Sequence, residues 1–223
     1  MSVSKYIERF ELDDVFNDDL VKRMELRTLA RGEHLVRIGE AIDYFYLLVE
    51  GKLKIYTFQE NGKKVLIRFY RPLNAIGDLE YLSEYVPNAA VEALEQSKVL
   101  SVPMKELRYY THDCPKFLRF VITQLSHKLY TYSKISSLNL VYPLENRVAS
   151  YLWSVSRIND NRQLEEIRVN SLEEMANLLA TSYRHLSRVL NKMQTNRVIS
   201  RTRGNIKITD FKQLEKLAID LFE

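Results

Sequence analysis

The chain has 223 residues, of which 46% are hydrophobic and 28% are charged, which is ordinary for a folded globular protein of one large or two small domains. Its single cysteine, Cys114, excludes an intramolecular disulfide and any zinc or iron–sulfur site built from four thiolates of one chain. The sequence has no run of about 18 apolar residues and no apolar secretory segment at its start, so we expect a cytoplasmic protein without membrane contact. We interpret Cys114 as a partly buried structural thiol, and the alternative is a redox-sensing thiol.

Residues 30–110 show the pattern of short strands joined by tight turns. Two strand-like runs flank a turn at Glu50-Gly51, and Asn61-Gly62 is the strongest hairpin signal in the chain. Apolar residues alternate with polar ones in these runs, as is typical of half-buried strands. The pattern predicts a small antiparallel β-roll or barrel. The residues expected to be buried are Leu53, Ile55 and Thr57 in one strand and Val65, Ile67 and Phe69 in the next.

The spacing of apolar residues changes over residues 116–139. Apolar residues spaced four and three apart form the a/d seam of a coiled coil, and the polar residues Ser136 and Asn139 continue it. This seam predicts a long dimerisation helix and a homodimer, and the alternative is that the stripe faces its own domain. Pro143 suits the first turn of a helix, so we place a hinge at 139–143 and a new helix at about 143–156. The seam consists of Leu118, Ile122, Leu125, Leu129 and Tyr132.

The following segment has the pattern of a helix-turn-helix. Ser171, with Glu174 three residues later, is a capping box that starts one helix. A three-residue turn then leads to Ser182, which is a good N-cap for a second helix from Tyr183 to about Gln194. That helix is amphipathic, and the spacing of the two helices is that of a DNA-binding motif.

A basic hairpin follows the two helices. Its tip, Arg203-Gly204-Asn205, predicts a wing, and Asp210 is placed to cap a final helix. Residues 181–212 contain eight Lys or Arg and one Asp, a local charge of +7. This is the electrostatic footprint of phosphate-backbone binding. The alternatives are a solvated basic face, or a winged helix that binds protein without nucleic acid.

The second helix of the motif is the predicted recognition helix, because a helix fits the major groove and its first turns reach base edges. Arg184 and Arg188 share one face, and Arg pairs with guanine in a bidentate manner. His185 has the alternative of packing against the first helix, and the wing arginines are expected to meet phosphates. We predict that double-stranded DNA is contacted by Ser182, Tyr183, Arg184, His185, Ser187, Arg188, Lys192, Arg201 and Arg203.

Motifs of the common enzyme classes are absent from the sequence. Its four histidines are far apart, and none lies in an HExxH motif. Walker A, GxGxxG and GxSxG motifs are missing as well. We therefore expect neither an enzyme nor a metal site.

The order of these parts resembles the CRP/FNR family of bacterial transcription regulators, and more narrowly its YeiL-type branch, over nearly the whole chain. The resemblance implies an α+β fold: an antiparallel, cyclic-nucleotide-binding-like β-roll (a double-stranded β-helix) at 1–112, a dimerisation helix and hinge at 113–142, and a winged helix-turn-helix at 143–223. It also implies a homodimer that reads a palindromic DNA site and contacts RNA polymerase. The residues that carry it are Gly32-Glu33, Leu48–Leu53, Ile76–Leu79, Asn146–Ala149 and Ser187–Leu190, and, for the narrower branch, Leu125–Tyr130, Pro143–Arg147 and Ser182–Leu186.

The chain departs from the cAMP-binding members of that family. Those members carry an Arg-Ser pair for the cyclic phosphate, where this chain has Asn88 and Ala89, and a buried phosphodiester without its cation is costly. We therefore expect no cofactor and a regulator that does not depend on cAMP. The alternative is a small-molecule or cyclic-nucleotide sensing module whose DNA contact is secondary. The candidate effector pocket comprises Gly77, Asp78, Leu79, Asn88, Ala89 and Tyr132.

Overall fold

The computed structural model groups the chain into two compact units. The first contains Met1–Thr57 and Phe69–Thr131, and the second contains Phe58–Arg68 and Tyr132–Glu223. The domain limits given above remain a prediction. The structure describes residues 2–60, 62–156, 167–169 and 171–219.

The first part of the chain forms two four-stranded sheets, in the strand orders β1-β8-β3-β6 and β2-β7-β4-β5. Neighbouring strands pair antiparallel at β1·β8, β3·β8, β3·β6, β2·β7 and β4·β7, which confirms the predicted antiparallel β-fold. The strands are β1 (Glu25–Leu29), β2 (His34–Val36), β3 (Tyr44–Glu50), β4 (Leu53–Phe58), β5 (Lys64–Tyr70), β6 (Asn74–Ile76), β7 (Ala90–Ala93) and β8 (Ser97–Pro103). The helices of this part are α1 (Val3–Arg9), α2 (Asp18–Val21), α3 (Asp78–Leu82), α4 (Met104–Thr111) and α5 (Pro115–Val141).

The core of the first unit is aromatic where α5 meets it. Phe117 of α5 is fully buried, and its ring centroid lies 5.7 Å from that of Phe16, 6.0 Å from that of Phe45 and 5.0 Å from that of Tyr81. These rings meet edge to face, which adds about 0.5–1.5 kcal/mol per pair to the burial of their area. Val121, one turn further along α5, is buried in the same core. One face of α5 is therefore an integral part of the roll.

The turn at Glu50-Gly51 exists, but it does not close a hairpin. It joins β3 to β4, and these strands belong to different sheets, so the turn is a corner between the sheets. Gly51 has φ +86°, and a Cβ there would lie 2.7 Å from the carbonyl oxygen of Gln96 and against Ser97 Oγ. Only glycine fits this backbone and this close approach.

The predicted alternation of burial is wrong for β4 and β5. All four residues from Leu53 to Tyr56 are buried, and in β5 Leu66 and Arg68 are more buried than Val65 and Ile67. Polar side chains on β4 are buried because they bond across the sheet. Lys54 Nζ lies 3.0 Å from a carboxylate oxygen of Glu92, and Tyr56 Oη lies 2.7 Å from His34 Nε2.

The C-terminal part of the chain has the predicted helices and wing. The long helix α5 continues to Val141, and residues 142 and 143, within the predicted hinge at 139–143, separate it from the next helix. The wing gains a strand that the sequence did not indicate, because β9 pairs with β11 in a sheet of order β10-β11-β9. The elements are α6 (Leu144–Val155), β9 (Ile167–Arg168), α7 (Leu172–Leu178), α8 (Tyr183–Thr195), β10 (Ile199–Thr202), β11 (Asn205–Ile208) and α9 (Phe211–Leu217).

The corner at Gly51 gives a stability prediction with a matched control. Gly51→Ala should destabilise the protein by about 3 kcal/mol, since it adds steric overlap to an unfavourable φ. Gly62 has a similar φ of +76° but nothing within 4 Å of its added Cβ, so Gly62→Ala should cost only about 1 kcal/mol. Urea unfolding of both variants measures the difference. Equal losses would contradict the steric explanation.

Candidate nucleic-acid interface

The two helices of the helix-turn-helix start where the sequence predicts. Ser171 Oγ accepts hydrogen bonds from the backbone N–H groups of Glu173 and Glu174, at 3.1 and 3.3 Å. Ser182 Oγ accepts one from the N–H of His185, at 3.2 Å. Such N-caps stabilise a helix by about 1 kcal/mol each. They fix where α7 and α8 begin, and so which side chains each helix presents.

The amphipathic character of α8 determines which side chains reach solvent. Four apolar residues form a buried stripe along the helix, and Arg184 and Arg188 are exposed on the opposite face. Among the described residues, neither arginine has a hydrogen bond or an ion pair. Two guanidinium groups are therefore available on one helix face. The buried stripe consists of Leu186, Val189, Leu190 and Met193.

The other residues of α8 and its N-cap that were predicted to contact DNA differ in exposure and in hydrogen bonding. Tyr183 is 53% exposed, and His185 is exposed too, so it does not pack against the first helix. The hydroxyl of Ser182 is the N-cap of α8. The hydroxyl oxygen of Ser187 is buried and has no hydrogen-bond partner in the described part of the chain. This corrects the expectation that Ser187 presents its hydroxyl to DNA.

Two of the predicted DNA contacts also bond within the protein. Lys192 Nζ lies 2.6 Å from a carboxylate oxygen of Glu145 on α6. Arg201 Nη1 donates a hydrogen bond to Asn191 Oδ1, at 2.9 Å, which links the wing to α8. Arg203 is exposed at the tip of the wing, as predicted. These contacts join residues on different elements, so no local sequence pattern predicts them.

A further support of the motif comes from α6. Arg147 Nη1 donates to the carbonyl oxygen of Leu179, at the end of α7, where the chain turns toward α8. Burial lowers the pKa of the Arg147 guanidinium. Asn146 Nδ2 donates to the carbonyl oxygen of Leu217, in α9. The only sequence signal for these roles was the position of both residues in the segment Asn146–Ala149.

The predicted dimerisation seam lies mainly on the solvent side of α5. Leu118 and Leu125 are half-buried, whereas Ile122, Leu129 and Tyr132 are 59%, 70% and 56% exposed. Leu125 packs against the core of the roll, so the alternative, a stripe that faces its own domain, holds for this residue but not for the three exposed ones. Ser136 and Asn139 lie on α5, but their side chains are outside the described part.

The candidate effector pocket contains a buried ion pair. Asp78, at the start of α3, is 3% exposed, and both of its carboxylate oxygens lie 2.8 Å from Lys128 Nζ on α5. Lys128 also donates to the carbonyl oxygen of Ala75, at 2.7 Å, so three acceptors surround its three N–H groups. Its ammonium lies 5.0 Å from the ring centroid of Tyr70. No local sequence pattern connects Lys128 with its partner, which lies 50 residues away.

The other predicted pocket residues differ in exposure. Gly77 is buried and has φ +93°, where a Cβ would come within 3.1 Å of the carbonyl oxygen of Tyr44. Leu79 and Asn88 are exposed, and Ala89 is half-buried. Burial raises the pKa of Glu80, two residues after Asp78, and the carboxylate of Asp78 adds to that rise, while Lys128 opposes it. This end of the roll therefore holds two carboxyl groups near one ammonium.

Two family matches cover most of the chain. Residues 26–112 match the cyclic nucleotide-binding domain, and residues 146–217 match the Crp-like helix-turn-helix domain. The chain belongs to the CRP/FNR family. It is therefore a transcription regulator with a helix-turn-helix DNA-binding domain, as the sequence predicts, and its relatives are not enzymes.

Named relatives and solved structures agree with this assignment. The regulatory protein YeiL of Escherichia coli O157:H7 is 27% identical over 93% of this chain and 92% of its own length. The transcriptional activator protein Anr of Pseudomonas protegens is 27% identical over 90% of this chain and 82% of its own length. The structure of a CRP/FNR-family regulator from Eubacterium rectale superposes with a TM-score of 0.78 at 16% identity, covering 96% of this chain and 98% of the other, which shows the shared fold.

Two features of the candidate effector pocket bear on a cyclic nucleotide. Both oxygens of Asp78 lie 2.8 Å from Lys128 Nζ, so a ribose hydroxyl would share them with that ammonium. The cyclic phosphate needs a cation, and Asn88 and Ala89 stand where cAMP-binding members carry Arg and Ser. Separately, none of the helices in the described residues has the length and hydropathy needed to cross a membrane.

The buried pair gives a stability prediction for this CRP/FNR regulator. Asp78→Ala should cost about 3–5 kcal/mol, because it leaves the ammonium of Lys128 buried without its counter-charge. The double variant Asp78→Leu with Lys128→Met should recover most of that loss, since it removes both charges. The exposed pair Lys116–Asp14 is the control, and Asp14→Ala should cost less than about 1 kcal/mol. Chemical denaturation measures all three, and a double variant no more stable than Asp78→Ala would contradict this account.

Proposed function

We propose that this CRP/FNR regulator binds DNA as a homodimer and reads a palindromic site with α8. The observation that carries the proposal is the pair Arg184 and Arg188, exposed on the face of α8 opposite its buried stripe. A recognition helix lies in the major groove with such a face toward the base edges. Two copies related by a two-fold axis require half-sites about one helical turn apart.

The homodimer is supported by the outer face of α5. Ile122, Leu129 and Tyr132 expose large apolar surfaces at coiled-coil spacing. A contiguous apolar stripe in water is unfavourable, and pairing with the same stripe of a second copy buries it. The CRP/FNR relatives with known roles are transcription regulators, and regulators of this type are commonly dimeric.

We further propose that this regulator does not use cAMP and that it contacts RNA polymerase. The first part is supported by the Lys128–Asp78 pair and by Asn88 and Ala89 at the phosphate position. The second is supported by relatives that are named transcriptional activators, such as Anr. Since its partner is chromosomal DNA, we place the protein in the cytoplasm. The alternative function, a sensing module whose DNA contact is secondary, predicts ligand binding without tight DNA binding.

Charge reversal on α8 tests the DNA-binding proposal. Arg184→Glu with Arg188→Glu should abolish specific duplex binding, because carboxylates replace the two guanidinium groups that face the DNA. Lys212→Glu with Lys216→Glu on α9 changes the net charge equally and should weaken binding only modestly. Fluorescence anisotropy at several salt concentrations gives affinities and salt slopes, and light scattering checks that both variants keep the oligomeric state of the parent. Equal loss in both variants would show that only overall charge matters, which contradicts the proposal.

Calorimetry tests the proposal about cAMP. Titration of the purified protein with cAMP up to millimolar concentration should give no saturable heat, because Asn88 and Ala89 offer no cation to the cyclic phosphate. A saturable signal in the micromolar range would overturn this part of the proposal. The variant Asp78→Leu with Lys128→Met is the control for the role of the pair, and it should be silent as well, since no cation for the phosphate is restored.

A further inference from the structure

Three consecutive residues in the first turn of α6 each bond to a different helix. Glu145 Oε2 lies 2.6 Å from Lys192 Nζ on α8. Asn146 Nδ2 donates to a backbone carbonyl oxygen at the end of α9, at 3.0 Å. Arg147 Nη1 donates to the carbonyl oxygen of Leu179, directly after α7, at 3.1 Å. The first turn of α6 is thus bonded to α7, α8 and α9 at once.

The bond from Arg147 reaches the chain just before a strained turn. Ala180, the residue after Leu179, has φ +47°, a left-handed conformation that is unfavourable for residues other than glycine. The turn has the bonds of a Schellman motif, since the N–H of Thr181 donates to the carbonyl oxygen of Ala176, at 2.9 Å. The glycine that this motif usually contains is replaced by alanine. A contact from outside the turn therefore supports a backbone that its own residue disfavours.

The guanidinium of Arg147 is committed to this contact. It is half-buried, and its Nε is buried with no hydrogen-bond partner in the described part of the chain. The carbonyl groups at the end of a helix have no partner within the helix, and the charged donor of Arg147 satisfies the one at Leu179. Hydrogen bonds from charged groups are stronger than those between neutral groups. Removal of the guanidinium would leave the turn before α8 without this support.

Lys192 attaches α8 to α6 a second time. The side chain of Glu145 is 19% exposed and that of Lys192 is 62% exposed, so the carboxylate is the more buried partner. A pair of this kind contributes little to overall stability, but its place in the fold matters. It holds α8 nine residues beyond Tyr183, the first residue of the helix, which is about 14 Å along the axis. A helix that is held at both ends has a fixed direction.

We propose that Glu145 and Arg147 are positioning residues for α8, and that Lys192 serves DNA binding through Glu145 and not through a phosphate. This inference rests on the proposed DNA-binding function and adds the residues that orient the recognition helix. Specific binding requires α8 to fit the groove in one direction, whereas non-specific binding depends on charge near the phosphates. Loss of a positioning contact should therefore lower the affinity for a specific site and leave non-specific affinity nearly unchanged.

A charge swap tests the role of Lys192. Fluorescence anisotropy measures the affinity of the full-length protein for a duplex that the parent selects from a random library, and for a duplex of unrelated sequence. Lys192→Glu should weaken binding to the selected duplex roughly tenfold, because two carboxylates then face each other. Glu145→Lys with Lys192→Glu restores opposite charges and the net charge of the parent, so it should recover most of that loss. A phosphate contact by Lys192 predicts no recovery, since a carboxylate still occupies its position.

Substitution of Arg147 tests the other attachment. Arg147→Met should weaken binding to the selected duplex roughly tenfold and leave the affinity and salt slope for the unrelated duplex unchanged. Arg203→Gln on the wing is the control for a phosphate contact, and it should lower that slope by about one. Arg147→Lys keeps a cationic donor and should fall between the parent and Arg147→Met. Circular dichroism at the assay temperature checks the fold, and Arg147→Lys decides the comparison where Arg147→Met does not fold.

The outcomes separate this inference from the function on which it rests. Equal losses for both duplexes in the Arg147 variants would show a role in stability alone, and unchanged binding to the selected duplex would show no role. Either result overturns the inference for Arg147, and a charge swap without recovery overturns it for Glu145 and Lys192. In all these cases the parent still selects a motif. A parent protein that selects no motif from the library overturns the proposed sequence-specific binding, and the inference with it.

Discussion

The two faces of α5 are the constraint on which the rest of this structure depends. Its inner face places Phe117 and Val121 in the core of the roll and Lys128 against Asp78. Its outer face leaves Ile122 and Leu129 in solvent. Both stripes lie on the same helix and follow the same period, so a rotation that buried the outer stripe would take the inner one out of the core. The burial of Phe117 therefore dictates that an apolar stripe remains available to a second copy.

The same division organises the DNA-binding part. Leu190 and Met193 of α8 are buried, so Arg184 and Arg188 on the opposite face of the helix point to solvent. Polar side chains then hold the helix-turn-helix in place. Arg147 donates a hydrogen bond to the carbonyl oxygen at the end of α7, and other side chains form contacts with α8. Lys192 and Arg201 make contacts of this kind within the protein. The basic residues that hold α8 in place are therefore different from those that present their charge to solvent. Only some of the local charge of +7 is free to meet DNA.

The start of α3 is tied to α5 by the chain's own charges. Lys128 places a cation at Asp78 and contacts both oxygens of its carboxylate. In low-dielectric surroundings such a pair is costly to break. The link between α3 and α5 is thus made by two side chains of the chain itself.

Local signals made the DNA-binding part predictable from the sequence. The caps Ser171 and Ser182 and the apolar stripe of α8 depend on residues a few positions apart, and the structure confirms them. Properties set by distant pairing were not predictable. The corner at Gly51 depends on Ser97, and Lys54 is buried because Glu92 lies across the sheet. For the same reason, no sequence pattern predicts the pairing of Lys128 with Asp78.

The claim that the outer face of α5 joins two copies is tested most directly by the molar mass in solution. Light scattering of the purified protein at micromolar concentration should give twice the mass of one chain. Ile122→Asp with Leu129→Asp should give the mass of one chain with an unchanged circular dichroism spectrum, because both side chains are exposed within one copy. A parent protein of single-chain mass, or a variant that remains dimeric, would contradict the account.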